Sequence, residues 1–133
     1  KLIIKEIENY KTYFKDENSI FIKKFPKKTI FNNSWFIRLS KGGHLNSHYH
    51  HSGWLSGAVY LKVPSKKNKS NEGDFVIGIT GDNFPQIKDE YPETTVNIKA
   101  DDILLFPSSL FHRTIPFQSN EERICIAFDL APN

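Results

Sequence analysis

Four of the five histidines in this chain lie within eight positions, in the stretch GGHLNSHYHHSGWLSG at residues 42–57. His48 and His50 are two residues apart, so both imidazoles project from the same face of an extended segment, about 6–7 Å apart along it. Two neutral imidazole nitrogens in this arrangement can reach a single metal ion. The stretch therefore predicts part of a metal site.

A third protein ligand is required for a bound first-row transition metal. The only histidine outside the cluster is His112, which follows the apolar run ILLFP, so we expect a strand to deliver it. An H-x-H pair at the start of one strand with a single histidine at the end of another is the ligand arrangement of double-stranded β-helix metal sites. The pattern predicts His48, His50 and His112 as ligands, and the alternative is that they are surface histidines in a polar loop.

The two other histidines of the cluster are not predicted to be ligands. His44 stands beside Gly42 and Gly43, which is typical of a turn. His51 points to the opposite face from His50 in an extended segment, so we expect it at the surface or in support of a ligand.

The elements that must position these residues show in the hydrophobic periodicity. Ile3, Ile7, Tyr10 and Phe14 recur at steps of four, three and four, which predicts an amphipathic helix over residues 1–17. A period of two then predicts half-buried strands at four places, which are residues 20–23, 58–63, 96–99 and 123–128.

Residues 64–74 and 80–95 carry many charges and turn-forming residues and are predicted to be loops. Short strands between such loops, after one leading helix, predict an all-β sandwich or barrel with the helix packed outside. We expect one domain over residues 1–133, with the helix at 1–17 and the β core at about 20–131. Because position 1 is not methionine, the chain is also compatible with the C-terminal part of a longer protein.

The composition argues against several function classes. The chain has 18 basic and 15 acidic residues, and its lysines are scattered, which disfavours a nucleic-acid partner. No apolar run approaches the roughly 20 residues that span a bilayer, so we expect no membrane partner. The single Cys125 excludes an internal disulfide. These features predict a soluble cytoplasmic protein, and a homodimer stays open.

Two longer stretches, HYHHSGWLSGAVYLKVP and ADDILLFPSSLFHRTIPFQSNEERICIAFDL, resemble the family of 2-oxoglutarate- and Fe(II)-dependent oxygenases. The likeness extends from about residue 30 to the end of the chain. It implies a double-stranded β-helix, a cupin-like jelly roll, with Fe(II) and 2-oxoglutarate as cofactors. It also implies a dioxygenase that hydroxylates a peptide or small-molecule substrate and releases succinate and CO₂.

The resemblance implies roles for residues beyond the histidines. Arg123, eleven positions after His112, matches the basic residue that pairs with the far carboxylate of 2-oxoglutarate, and its planar fork suits a carboxylate. Tyr60 matches a tyrosine that donates to the same carboxylate in prolyl-hydroxylase-like members. Cys125 stands where many members have a serine that shares this carboxylate. Apart from the resemblance, Trp54 and the loops at 64–74 and 80–95 are candidates for substrate contact at the mouth of the site, because long polar loops on a rigid β scaffold often carry recognition.

The sequence departs from the family pattern in its ligand set. The common pattern is H-x-D with a distal histidine, whereas this chain has His48-Tyr49-His50, which removes one negative charge and also suits Zn, Ni or Cu. Either three histidines suffice, or an acid from elsewhere completes the site, and Asp74 and Asp101 are the candidates.

Two other functions therefore stay open. The first is a three-histidine cupin enzyme that acts on a metal-bound substrate without 2-oxoglutarate, in which case Arg123 has no cosubstrate to bind. The second is a non-catalytic β-sandwich interaction module in which the histidines are incidental.

Overall fold

The computed structural model describes residues 1–65, 70–81, 84–87 and 90–133, so parts of both predicted loops lie outside the described residues. None of the helices in these ranges is long and apolar enough to cross a membrane. The elements, in chain order, are α1 (Leu2–Tyr13), α2 (Ile20–Lys23), β1 (Thr29–Leu39), β2 (Leu55–Lys62), β3 (Phe75–Gly78), β4 (Glu93–Val96), β5 (Ile103–Pro107), β6 (Phe111–Thr114) and β7 (Arg123–Pro132).

The strands form two antiparallel sheets that pack face to face. The described strands give one sheet the order β1-β7-β2-β5 and the other the order β4-β3-β6. Buried residues of both sheets, with Ile98 from the segment after β4, form the core between them, namely Ala58, Tyr60, Phe75, Ile98, Phe106 and Cys125. The two packed sheets confirm the predicted all-β core.

The pairing of β2 with β7 decides which side chains face the space between the sheets. Successive side chains on a strand alternate between its two faces, so residues two apart share a face. Three directly opposed pairs have side chains on the face towards the second sheet, and these are Ser56 with Asp129, Ala58 with Ala127, and Tyr60 with Cys125. The interior of the fold therefore carries polar groups from both strands.

The opposite face of the four-stranded sheet is covered by the helices, as predicted. Ile7 of α1 is 4% exposed and belongs to a buried cluster with Leu55, Phe128 and Leu130. Phe21 of α2 packs against the same cluster. The helices thus close the outer side of the strands whose inner side carries the polar groups.

Three boundaries differ from the sequence prediction. The predicted strand at residues 20–23 is wrong, because this segment is α2, and the β core begins at Thr29 instead of about residue 20. The turn of α2 brings Phe21 next to Phe25, which lies two residues after the helix ends, and their rings pack edge to face at 5.5 Å. The predicted helix at 1–17 ends at Tyr13, and the strand expected at 96–99 ends at Val96.

We predict that Ile7→Ala lowers the free energy of unfolding by about 2–4 kcal/mol, because it leaves a cavity between α1 and the sheet. Ile4→Ala is the matched control, since Ile4 lies on the same helix but is 59% exposed. This control should change the free energy by less than about 1 kcal/mol. Urea denaturation followed by circular dichroism measures both values, and equal losses would contradict the described packing of α1.

Candidate functional site

Three of the histidines converge beside β6. The potential ligand atoms of His48, His50 and His112 all lie within 4.8 Å of one another. His48 and His112 exchange two backbone hydrogen bonds of 3.0 and 2.8 Å, and the backbone N–H of His50 donates to the carbonyl of Ser108 at 2.9 Å. These contacts fix the segment that precedes β2 against β6 and its turn, although His112 lies within β6 and not at the end of the strand ILLFP.

The hydrogen bonds of the three rings define which nitrogen is available to a metal. Each ring engages an acceptor through Nδ1, namely Asn46 O for His48 at 2.7 Å, Leu110 O for His112 at 3.1 Å, and Asp129 Oδ1 for His50 at 2.7 Å. A ring that donates from Nδ1 keeps its lone pair on Nε2. The set therefore has the tautomers that metal-binding histidines adopt.

The environment of His112 keeps its ring neutral. The ring is 6% exposed and stacks on Phe75 at 5.4 Å, with Phe106 edge-on at 4.7 Å. Burial lowers the pKa of His112 to about 4, although the hydrogen bond to the Leu110 carbonyl acts in the opposite direction. At neutral pH the ring is uncharged, which is the state that binds a metal ion.

A cavity of about 420 Å³ between the two sheets contains both the histidines and Arg123. Arg123 opens β7 on the same face as Asp129, six residues further along the strand, so it lines the cavity away from His50. The cavity thus connects a potential metal site with the positively charged side chain of Arg123.

Arg123 is buried without a carboxylate partner in the described part of the chain. The residue is 2% exposed, and its Nε donates to the carbonyl of Gly73 at 3.0 Å. The guanidinium carbon lies 4.9 Å from the centre of the Tyr60 ring, and Nη1 lies 3.8 Å from Sγ of Cys125. A buried cation in these surroundings favours an anionic ligand, because charge is costly to bury unless it is compensated.

The family of the chain follows from its sequence. The family described as "Putative 2OG-Fe(II) oxygenase" matches residues 33–129, which include the three histidines, Arg123 and Asp129. The chain belongs to this 2OG-Fe(II) oxygenase family. A comparison with curated protein sequences finds no match. The cofactors in the family name, Fe(II) and 2-oxoglutarate, are those expected from the sequence, and the histidine group could hold the metal.

Solved structures of 2OG-Fe(II) oxygenases share the fold. HygX from Streptomyces hygroscopicus, solved with nickel and 2-oxoglutarate bound, has a TM-score of 0.60 at 18% identity over 79% of this chain and 58% of HygX. A prolyl-4-hydroxylase from Pseudomonas putida has a TM-score of 0.56 at 15% identity over 75% of this chain and 52% of its own. An oxidoreductase of the family from Burkholderia pseudomallei has a TM-score of 0.62 at 12% identity over 83% of this chain and 46% of its own.

These likenesses confirm the double-stranded β-helix, the cupin-like jelly roll implied by the sequence. At such low identities they concern the fold alone. The chain spans about half the length of these solved structures. Family and fold together support an oxidoreductase.

Two residues beside Arg123 have pKa values set by burial. Burial raises the pKa of Tyr60 to about 12, although the positive charge of Arg123 opposes the shift. Burial also raises the pKa of the Cys125 thiol. Tyr60 therefore stays protonated as a hydrogen-bond donor, whereas the neutral thiol of Cys125 is only a weak donor.

The structure does not bring Trp54 to the cavity. Its ring stacks on Phe21 of α2 at 5.5 Å, on the helix-covered side of the sheet, which corrects the expectation of a substrate contact. A different tryptophan, Trp35 of β1, lines the cavity with its ring 5.3 Å from that of His50. Sequence reasoning missed Trp35 because β1 was not predicted as a strand.

Neither of the acids singled out from the sequence joins the histidines. Asp74 is fully buried and accepts a hydrogen bond from the backbone of Ile98 at 3.0 Å. Asp101 has a φ of 71° and occupies a turn before β5, where left-handed conformations suit Asp. The carboxylate that contacts a candidate ligand is Asp129, which was not predicted, although its even spacing from Arg123 places it on the same face of the strand.

The remaining histidines lie outside the convergent group, as predicted. His44 is exposed, with Nδ1 3.2 Å from the carbonyl of Gly42. His51 is exposed beside Tyr49, with the ring centres 6.5 Å apart. Both rings are available as controls for metal-binding experiments.

We predict that Tyr60 ionises at a higher pH than an ordinary tyrosine. Its pKa in the folded protein is raised above the unfolded value, so its contribution to stability is complete below about pH 10 and is lost as the pH rises through about 12. In an absorbance titration at about 295 nm, Tyr60→Phe should remove the last phenolate step and leave the earlier ones. A curve in which the variant loses an early step instead, while circular dichroism shows a folded protein, would contradict the buried position.

Proposed function

We propose that this chain is a 2-oxoglutarate- and Fe(II)-dependent oxygenase that hydroxylates a small-molecule or peptide substrate and releases succinate and CO₂. The observation that carries the proposal is one cavity with convergent histidines and a buried Arg123 that has no carboxylate partner among the described residues. A metal site alone would leave that cation unexplained. A dicarboxylate that reaches both groups accounts for the two together.

In this proposal, His48, His50 and His112 hold Fe(II) through their Nε2 atoms, and imidazole is a suitable ligand for iron. When bound, iron and 2-oxoglutarate supply the oxidising chemistry, in which O₂ converts the cosubstrate to succinate and CO₂ and hydroxylates the substrate. The neutral ring of His112 needs no deprotonation before it binds the metal.

Arg123 and Tyr60 bind the far carboxylate of 2-oxoglutarate in this proposal. The guanidinium fork can donate two parallel hydrogen bonds, and the protonated Tyr60 hydroxyl can donate a third. Both groups are almost fully buried, so these bonds form in a low local dielectric, where they are stronger than in water. Cys125 contributes shape and a weakly polar contact beside Arg123.

The rim of the cavity is the proposed substrate contact. Trp35 of β1 lines the cavity and is 42% exposed, so its ring is accessible from outside. Apolar walls such as Phe75 and Phe106 exclude water from the interior. In this role Trp35 replaces Trp54. A cytoplasmic location and a homodimer stay predictions.

The metal ligands can be tested by metal content. His112→Ala should abolish stoichiometric Fe(II) binding under anaerobic conditions, because it removes one of three convergent nitrogens. His44→Ala is the matched control and should bind one equivalent, because His44 lies outside the group. Equal retention of iron in both folded variants would remove the proposed ligand set.

The cosubstrate site can be tested by anaerobic titration of the Fe(II)-loaded protein with 2-oxoglutarate, followed through the weak visible charge-transfer band of the chelate. Arg123→Ala should weaken 2-oxoglutarate binding by about 30-fold or more, the effect of about 2 kcal/mol for one lost buried charge pair. Arg38→Ala is the control, since Arg38 is an exposed arginine paired with Glu122.

Admission of air to the wild-type complex should then yield succinate. A folded wild-type protein that shows neither the band nor succinate would overturn the oxygenase proposal. Full activity without 2-oxoglutarate, unchanged in Arg123→Ala, would favour the three-histidine enzyme that does not use this cosubstrate.

A further inference from the structure

The three candidate ligands differ in the acceptor that their Nδ1 atoms contact. His48 and His112 contact the carbonyl two residues earlier in their own segments, at Asn46 and Leu110. His50 alone contacts a carboxylate, that of Asp129, 79 residues away in the chain. A neutral carbonyl and a carboxylate have different effects on a ligand, because only the carboxylate adds a negative charge behind the ring.

The carboxylate of Asp129 is held in one place by its surroundings. The Ser56 hydroxyl lies opposite it in the β2–β7 register and donates to Oδ1 at 2.6 Å. A second hydroxyl, that of Ser108, hydrogen-bonds Ser56 at 2.8 Å. Gly53 completes the packing, since a Cβ there would lie 2.5 Å from Ser108 Oγ and 3.2 Å from Cγ of Asp129. The site is thus built for this carboxylate at this position.

The charge of Asp129 lacks a permanent cationic partner in the described part of the chain. The residue is 1% exposed, and its only ion-pair contact there is the His50 ring, which is charged only when protonated. A buried carboxylate is costly unless a positive charge compensates it. A divalent metal ion on the Nε2 side of His50 supplies that charge through the ring.

We propose that Asp129 is the positioning residue of the metal centre and supplies the negative charge that the H-x-H sequence omits from the ligand set. The inference rests on the proposed metal site. The hydrogen bond from Nδ1–H of His50 to Asp129 directs Nε2 towards the ion and makes the ring a stronger donor. Three imidazoles and one carboxylate behind them carry the same formal charge as two imidazoles and one carboxylate ligand.

One variant with a matched control tests the charge of Asp129. Asp129→Asn keeps an oxygen that accepts from His50 but removes the charge, and Asp102→Asn is the control, because Asp102 accepts from the Lys99 backbone in a turn. We expect Asp129→Asn to weaken Co(II) binding by about 10- to 100-fold, measured through the visible bands of the bound ion. Asp102→Asn should bind Co(II) as the wild type does.

A second readout reports charge and not merely folding. In the iron-loaded protein, loss of the carboxylate charge disfavours Fe(III), so the Fe(III)/Fe(II) potential should rise in Asp129→Asn and stay unchanged in Asp102→Asn. Wild-type Co(II) affinity and potential in a folded Asp129→Asn protein would overturn the inference and leave the metal site standing. Failure of the wild type itself to bind one equivalent would instead overturn the proposed function.

If Asp129→Asn does not fold, Ser56→Ala provides the test. This variant keeps the carboxylate but removes the hydroxyl that holds it. Weaker Co(II) binding than in the wild type supports the inference, because the position of the carboxylate then determines the affinity. Unchanged binding in Ser56→Ala overturns it.

Discussion

The register of β2 against β7 is the constraint on which the site depends. In this register, the outer faces of the two strands pack against the helices through apolar side chains such as Leu55, Phe128 and Leu130. The inner face then carries Arg123 and Asp129, two positions that the strand period assigns to the same side. A slip by one residue would exchange the two faces, burying polar groups under the helices and apolar ones in the cavity. The need to bury apolar side chains under the helices thus determines which polar side chains face the cavity.

The buried charges on the inner face lower the stability of the fold, which is characteristic of a binding site. Arg123 and Asp129 are 2% and 1% exposed, and neither is paired with a residue of permanent opposite charge in the described ranges. Well-packed apolar residues at such positions would often be neutral or stabilising. In the proposed function the two costs are offset by bound species, a dicarboxylate at Arg123 and a metal ion through His50. Local departures from good core design are expected where a protein binds something.

Short-range patterns in the sequence predicted the part of the site that depends on spacing. The i, i+2 relation of His48 and His50 was sufficient to place them together, and His112 was the only histidine outside the cluster. The structure brings all three together. Tyr60, named through the family resemblance, lines the cavity beside Arg123.

Features that depend on long-range pairing could not be predicted in this way. Asp129 meets His50 only because β7 pairs with β2 in one register, and no local pattern contains that information. Trp54 and Trp35 were distinguishable only once the helix-covered face of the sheet was known. The four residues of α2 were too few to separate a helical period from alternation, and packing of Phe21 decided the outcome.

The most direct test of this account is an anaerobic crystal structure of the protein with Fe(II) and 2-oxoglutarate. We expect one iron atom bound by His48, His50 and His112, with the far carboxylate of 2-oxoglutarate at Arg123. Iron at any other set of residues, or 2-oxoglutarate bound away from Arg123, would contradict it.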